Sequence, residues 1–181
     1  MPTKRTTRNP AKPETRARRF ALTVQYAGGK ADDLPGPRRF RRWLEAALVR
    51  GRGAQVTLRI VGEAEGRRLN ARYRRRARAT NVLAFAYEPA PRLAGDIVLC
   101  APVMRREARA QGKALDAHCA HLGVHGMLHL QGYDHHRDSD ARRMERLETV
   151  ILAGLGYADP YGERRTKAES GRMRKSSTPK R

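Results

Sequence analysis

The chain has 181 residues, which suits one domain with a single hydrophobic core, and its 39 Lys and Arg against 18 Asp and Glu give a net charge of +21. No apolar run approaches the roughly 20 residues of a membrane span, no secretory signal is visible at the start, and the two cysteines make no disulfide framework. These features exclude a membrane-spanning protein and a disulfide-rich secreted domain, and they favour the cytoplasm. The basic surplus predicts a polyanionic partner, with nucleic acid as the first choice.

The first half of the chain alternates predicted strands and helices. Residues 1–19 carry seven basic residues and one acid among several prolines, which is typical of a disordered basic tail. Residues 20–26 alternate apolar and polar side chains and predict a strand. An amphipathic helix is predicted at 38–50, followed by a strand at 55–61 and a charged helix at 63–75.

The second half contains two more predicted strands and three predicted helices. The strands at 81–87 and 95–101 are joined by the turn-prone segment Glu88–Pro91. The three helices are predicted at 102–111, 114–131 and 138–153. For the last of them, Asp138 or Ser139 is the candidate N-cap residue.

The predicted domain spans 20–162, and 163–181 is a second predicted disordered basic tail with eight basic residues and two acids. The domain itself keeps 24 basic residues against 15 acidic ones, so the surplus is not confined to the tails, and this favours contact with RNA or DNA. The alternation of elements predicts an α/β (α+β) fold: a single domain with a small mixed β-sheet of about four strands packed by about five helices.

Three histidines in the predicted helix 114–131 and just after it are spaced so that one metal ion can collect them. On a helix, four residues turn about 400° and rise about 6 Å, so His125 and His129 project from one face. Gly132 can take the left-handed conformation that ends a helix, and the chain then returns with His135. Three imidazoles and one position open to water are the pattern of a catalytic zinc site.

The same spacing occurs in metzincin proteases, whose pattern is H-E-x-x-H-x-x-G-x-x-H. In those enzymes the Glu takes a proton from the zinc-bound water, but this chain has Gly126 at that position. The sequence therefore predicts a metal-dependent enzyme that is not a protease.

The neighbouring polar residues have weaker claims to the metal. His118 lies about 10 Å further along the helix axis, and Cys119 projects about 240° away from His125, so neither is expected to bind the same ion. His121 could support the ligands or face a substrate, although a core or surface role is the simpler reading. His136 is a weaker alternative to His135, and for Asp134 we expect an orienting hydrogen bond to the helix end or a histidine rather than catalysis.

A dense cationic patch lies at 72–78, where five of seven residues are arginine and Tyr73 stands among them. Arginine grips phosphate through two parallel hydrogen bonds and stays charged at any physiological pH. A solvated, charged helix face is the simpler interpretation of Arg72, Arg75, Arg76 and Arg78.

Together these segments resemble the YbeY family of bacterial endoribonucleases, the rRNA maturation factors. The resemblance spans roughly 56–157 and rests on LNARYR followed by TNVLAF, then GDIVLC, then the highly specific HGMLHLQGYDH. Where the family usually has Ser and then Phe-Pro, this chain reads Ala84-Phe85-Ala86, and it has Gln131 where Leu is common.

The resemblance implies an α/β fold with a small mixed sheet and places the family's zinc-binding histidines on His125, His129 and His135. It places the family's functionally important arginine on Arg74. The implied activity is single-strand-specific, zinc-dependent cleavage of RNA in 16S rRNA 3′ end maturation and ribosome quality control. The implied partners are one Zn²⁺ ion, rRNA, and the small ribosomal subunit with its proteins; neither a membrane nor DNA is expected.

In this mechanism the zinc acts as a Lewis acid, and Arg74 steadies the negative charge that develops on the phosphoryl oxygens. Two alternatives remain open from the sequence. One is another kind of metallohydrolase, such as a divergent peptidase. The other is a non-catalytic, ribosome-associated RNA-binding factor in which the zinc is structural.

Overall fold

The computed structural model describes residues 20–27, 32–48, 53–87 and 93–162. The two predicted basic tails and the predicted turn-prone segment Glu88–Pro91 lie outside the described residues.

Four strands form one mixed sheet in the order β1-β2-β4-β3. Strands β1 and β2 are parallel, β2 and β4 are parallel, and β3 runs antiparallel to β4. Strand β3 is therefore an edge strand beside the most buried part of the sheet. The strands are β1 Phe20–Tyr26, β2 Ala54–Val61, β3 Val82–Ala86 and β4 Leu93–Cys100.

Five helices accompany the sheet: α1 Pro37–Ala46, α2 Glu63–Arg74, α3 Ala101–Ala110, α4 Leu115–Leu130 and α5 Asp138–Gly154. Prolines in the first turns of α1 and α3 suit positions whose N–H groups have no partner within the helix. The predicted cap of α5 is wrong, because Arg137 occupies the N-cap position and no side chain caps the helix. Asp138 and Asp140 lie inside the first turn instead, where their negative charge is favourable for the helix dipole.

The helix α4 lies at the centre of the larger core, between the sheet and the helices α1, α3 and α5. This position explains why its sequence is apolar on almost every side, since ten of its sixteen residues are buried. Strands β2 and β4 direct alternate side chains into this core, for example Leu58 and Ile97, which are both fully buried. Their other side chains, such as Val98, join a smaller cluster on the face where α2 packs.

This arrangement brings the end of α2, the start of β3 and the end of α4 to one side of the sheet. The predicted single α/β (α+β) domain, with a mixed four-stranded sheet and five helices, is confirmed over the described residues. Within these residues, no helix combines the length and the apolar character that crossing a bilayer requires.

Candidate metal centre

The end of α4 delivers the three predicted histidine ligands to one place. Gly132 takes a φ of 87°, and the N–H groups of Gly132 and Tyr133 donate to the carbonyls of His129 and Leu128 at 3.0 and 3.2 Å. This pair of bonds is a Schellman motif, which ends the helix and turns the chain back over it. One ligand nitrogen from each of His125, His129 and His135 then lies within 4.8 Å of the other two.

The donor set suits a divalent metal ion because the surroundings of His129 and His135 favour the neutral form of their imidazoles. Burial, together with the neighbouring His125 and His135, lowers the pKa of His129 to about 4. Partial desolvation and the nearby His125 also lower the pKa of His135. The Nε2 atoms of His125 and His129 face each other at 3.1 Å, so lone pairs converge on a common point. Neutral imidazole nitrogens converging in this way are the ligands that zinc and similar metals prefer.

A buried carboxylate that we did not predict from the sequence lies behind these histidines. Glu148 on α5 is fully buried, and its Oε1 lies 2.8 Å from Nδ1 of His125. Its Oε2 contacts Nε2 of His121 at 2.8 Å and also accepts a hydrogen bond from the hydroxyl of Tyr161. Although burial raises the pKa of Glu148, the hydrogen bonds from His121 and His125 lower it to about 2.

Because the ionised carboxylate can only accept hydrogen bonds, His125 must donate from Nδ1. In the neutral ring the lone pair then lies on Nε2, which is directed toward His129. Carboxylates that orient metal-binding histidines in this way are common in zinc sites. One sequence signal could have found Glu148: it stands midway between Met144 and Leu152, both buried and one helical turn away on the same face of α5.

Gly126 occupies the position that holds the catalytic Glu in metzincins, and here that position faces the sheet. A Cβ atom at Gly126 would lie 2.9 Å from Cγ2 of Ile97 and 3.4 Å from Cγ2 of Val82. A larger side chain has no room there, so the glycine is a packing requirement of α4 against β4 and β3. The peptidase alternative therefore lacks both the residue and the space for its base.

Arg74, the predicted phosphate-binding residue, stands in the last turn of α2 and is exposed. The turn after it is fixed by Asn70, which is buried and donates from Nδ2 to the carbonyl of Arg78 at 2.6 Å. Arg74 lines a hollow of about 130 Å³ together with the three histidines. It also borders a wider hollow of about 730 Å³ beside His129 and His135. The four predicted site residues thus share one cleft.

The other polar residues near α4 have separate partners. His118 is buried and contacts Glu107 at 2.9 Å, so it serves the core. Asp134 accepts a hydrogen bond from the backbone N–H of His135 at 2.7 Å and contacts the ring of His136, which agrees with an orienting role.

Cys119 and one further set of residues must also be considered as possible metal ligands. Cys119 is fully buried, and burial raises the pKa of its thiol to about 12, so it is not a ligand candidate. A second set of metal-capable atoms, from His121, His125 and Glu148, also lies within 4.8 Å. The hydrogen bonds described above account for this second grouping.

Comparison with known proteins agrees with the fold and the motifs. The family model described as Endoribonuclease YbeY matches residues 37–156. The chain is similar to the Endoribonuclease YbeY of Aromatoleum aromaticum, with 58% identity over 150 residues that cover 82% of this chain and 96% of the relative. It is also similar to the Endoribonuclease YbeY of Nitrosomonas europaea, with 52% identity over 163 residues that cover 89% and 98% of the two chains.

Among solved structures, the solution structure of TM1509 from Thermotoga maritima aligns with a TM-score of 0.52 and 23% identity, covering 81% of this chain and 93% of that one. This similarity supports a shared fold. The family model and the relatives above show that the chain belongs to the endoribonuclease YbeY family.

Proposed function

We propose that the protein is a metal-dependent endoribonuclease that cuts single-stranded RNA, with one Zn²⁺ ion bound by His125, His129 and His135. The observation that carries this proposal is the convergence of three imidazole nitrogens within 4.8 Å beside an exposed arginine. Relatives at 50–58% identity bear the name Endoribonuclease YbeY, which supports RNA as the substrate class.

The metal role is supported by the chemistry of the donor set. The carboxylate of Glu148 holds the proton of His125 on Nδ1. The low pKa of His129 keeps that imidazole in its neutral form at neutral pH. A bound zinc ion supplies Lewis-acid polarisation of a phosphoryl oxygen and makes water more acidic. The protein's own contribution is to hold three imidazole ligands close together without rearrangement.

Arg74 is proposed to bind the phosphate that is cut. Its guanidinium carries a permanent charge and lines the same 130 Å³ hollow as the three histidines. There it would neutralise charge that grows on the phosphoryl oxygens as the bond breaks. The side chain is exposed and makes no ion pair with any residue that the structure describes, so it is available to bind a phosphate.

The charge of the chain supports a nucleic-acid substrate. Its net charge is +21, and 24 basic residues against 15 acidic ones remain in 20–162. Binding should therefore weaken steeply as salt rises. We further propose that the substrate is rRNA, that the cut belongs to 16S rRNA 3′ end maturation and ribosome quality control, and that the small ribosomal subunit and its proteins are partners. Two buried free cysteines suit the reducing cytoplasm.

The test is cleavage of a labelled rRNA fragment with a single-stranded 3′ extension. Wild type should cut it, whereas His129→Ala and His135→Ala should not. His136→Ala is the matched control, because His136 neighbours His135 but is largely exposed and contacts Asp134. Cutting by all four proteins would indicate a contaminating nuclease and remove the proposal.

Metal removal separates catalysis from a structural zinc. A purely structural ion should unfold the domain when a chelator removes it, as followed by circular dichroism. We expect the fold to persist and cleavage to stop, since the larger hydrophobic core includes none of the three histidines. An unfolded metal-free protein, or a folded wild type that cuts nothing, would favour the non-catalytic ribosome-associated factor.

A further inference from the structure

A cavity of about 370 Å³ lies between α4 and α5 and opens beside the candidate metal centre. His125 and His135 form part of its wall, and the same two histidines line the hollow that contains Arg74. A ligand bound between the histidines would therefore have the cavity on one side and Arg74 on the other. Its volume falls within the ~300–1,000 Å³ typical of small-molecule sites.

The inner surface of this cavity is mainly apolar. Val82, Leu122 and Met144 line it, and all three are buried. Glu145 also lines it and is half-buried, and within the described residues its carboxylate has no hydrogen bond or ion pair. The cavity thus combines an apolar floor with one free acceptor group, which suits a flat aromatic ring that carries a donor at its edge.

The two sides of the histidines differ in charge, and this difference determines which part of a nucleotide fits where. Arg74 attracts a phosphate to its side, whereas the carboxylate of Glu145 repels one from the cavity. A neutral base is therefore the part of an RNA chain that suits the cavity. Proteins that recognise single-stranded RNA commonly take unstacked bases into such pockets and read their edges.

We propose that this cavity binds the unstacked base next to the phosphodiester that is cut, and that Glu145 accepts a hydrogen bond from an exocyclic amino group of that base. Adenine, cytosine and guanine carry such a group and uracil does not, so the site would disfavour uracil. This inference rests on the proposed ribonuclease function.

The first test removes single bases from the substrate. A labelled single-stranded RNA with one mapped cut is compared with copies in which one nucleotide at a time near the cut is abasic. Wild type should cut about tenfold more slowly when the missing base is the one that enters the cavity, and normally when it is any other. Ala141→Leu adds bulk to the cavity wall, because Ala141 lines it and is half-buried.

The filled variant should cut intact RNA about tenfold more slowly and be indifferent to the abasic position. Ala153→Leu is the matched control, since Ala153 lies on the same helix but is exposed and outside the cavity. It should behave as wild type. Zinc content and circular dichroism establish that each variant is folded and loaded.

The outcomes distinguish failure of the base-pocket proposal from failure of the ribonuclease proposal. Cutting by wild type without any sensitive abasic position, or with the same sensitivity in Ala141→Leu, overturns the base pocket and leaves the ribonuclease intact. No cutting by zinc-loaded wild type overturns the ribonuclease proposal itself, and the base pocket falls with it.

A second variant covers the case in which Ala141→Leu fails to fold. Glu145→Met keeps the approximate size of the side chain but removes both carboxylate acceptors and the charge. Wild type should cut RNAs with adenine, cytosine or guanine at the sensitive position about tenfold faster than the uracil version, and the variant should lose this preference. An unchanged preference in Glu145→Met would rule out the assigned hydrogen bond.

Discussion

Glu148 and His125 lie 23 residues apart on different helices, and Oε1 of Glu148 accepts a 2.8 Å hydrogen bond from Nδ1 of His125. The carboxylate remains ionised well below neutral pH. Burial raises its pKa, but the hydrogen bonds from His121 and His125 outweigh burial and lower the pKa to about 2. The carboxylate therefore fixes His125 in the tautomer whose Nε2 lone pair faces His129, 3.1 Å away. The two helices α4 and α5 are joined at the candidate metal centre by this contact.

Glu148→Gln should lower zinc affinity by about 10–100-fold, because an amide can donate as well as accept and no longer selects one tautomer of His125. Competition with a chromophoric chelator measures the affinity. Glu107→Gln is the control. Glu107 on α3 makes a similar contact with His118, which lies on α4 as His125 does but away from the metal ligands. Equal affinities in both variants and wild type would show that Glu148 does not orient the ligand.

Gly126→Ala should destabilise the protein by about 1–3 kcal/mol, since the new methyl group would lie 2.9 Å from Cγ2 of Ile97 in a well-packed core. Urea unfolding measures the change in the free energy of unfolding. Gly154→Ala provides the comparison. Apart from the adjacent residues and the backbone of its own helix, no atom lies within 4 Å of where a Cβ atom would be. This substitution should cause no loss. A neutral Gly126→Ala would mean that α4 can move away from the sheet.

Gly132→Ala and Gly156→Ala should each cost about 1–2 kcal/mol of stability, because both glycines have positive φ, 87° and 90°, with no steric neighbour at Cβ. Only Gly132→Ala should also weaken zinc binding, since Gly132 sets the path that brings His135 back to the helix. Unfolding and chelator competition on both variants separate strain from ligand position. A loss of affinity in Gly156→Ala would contradict this explanation.

Part of the stability that the protein loses in acid should come from protonation of Glu107. Burial raises its carboxyl pKa, but hydrogen bonds with His118 and Asn81 outweigh burial and bring the pKa below the ordinary 4.5. A lowered folded pKa contributes stability that is fully present above the unfolded pKa and is lost as pH falls through the folded one. The difference in unfolding free energy between wild type and Glu107→Gln should therefore be constant above about pH 5 and shrink below pH 4.5.

Urea unfolding at several pH values between 3 and 7 measures this difference. Glu45→Gln on α1 is the comparison, because Glu45 is exposed and its one ion pair within the described residues is a long one, 3.7 Å from Arg41. Its difference from wild type should stay near zero throughout. A difference for Glu107→Gln that does not change with pH would contradict the assigned cause.

Local features of the site were predictable because they depend on neighbours in the sequence. The spacing of His125 and His129 and the turn at Gly132 follow from helix geometry alone, and the structure has both. The roles of the three histidines and of Arg74 stay predictions. Most predicted helix and strand ends lie within two residues of the observed ones, since hydrophobic periodicity marks the middle of an element better than its ends.

The parts that the sequence left open depend on distant contacts. The strand order β1-β2-β4-β3 has no local signal, because the pairing partner of a strand is not written in its own residues. Glu148 was missed for the same reason: its partner His125 belongs to another helix. The predicted cap of α5 was wrong because Asp138 and Ser139 are good caps by residue type, yet the helix begins at Asp138, one residue earlier than a cap at Asp138 requires and two earlier than a cap at Ser139 requires.

The position of Glu148 also determines when the metal centre is finished during synthesis. A nascent chain that has reached His135 already contains Arg74 and all three histidines, but it lacks the carboxylate that holds the proton of His125 on Nδ1. Until α5 has left the ribosome and docked, the imidazole of His125 can take either tautomer. In the proposed centre the final assembly step is thus the docking of α5, and we expect high-affinity metal binding only after that step.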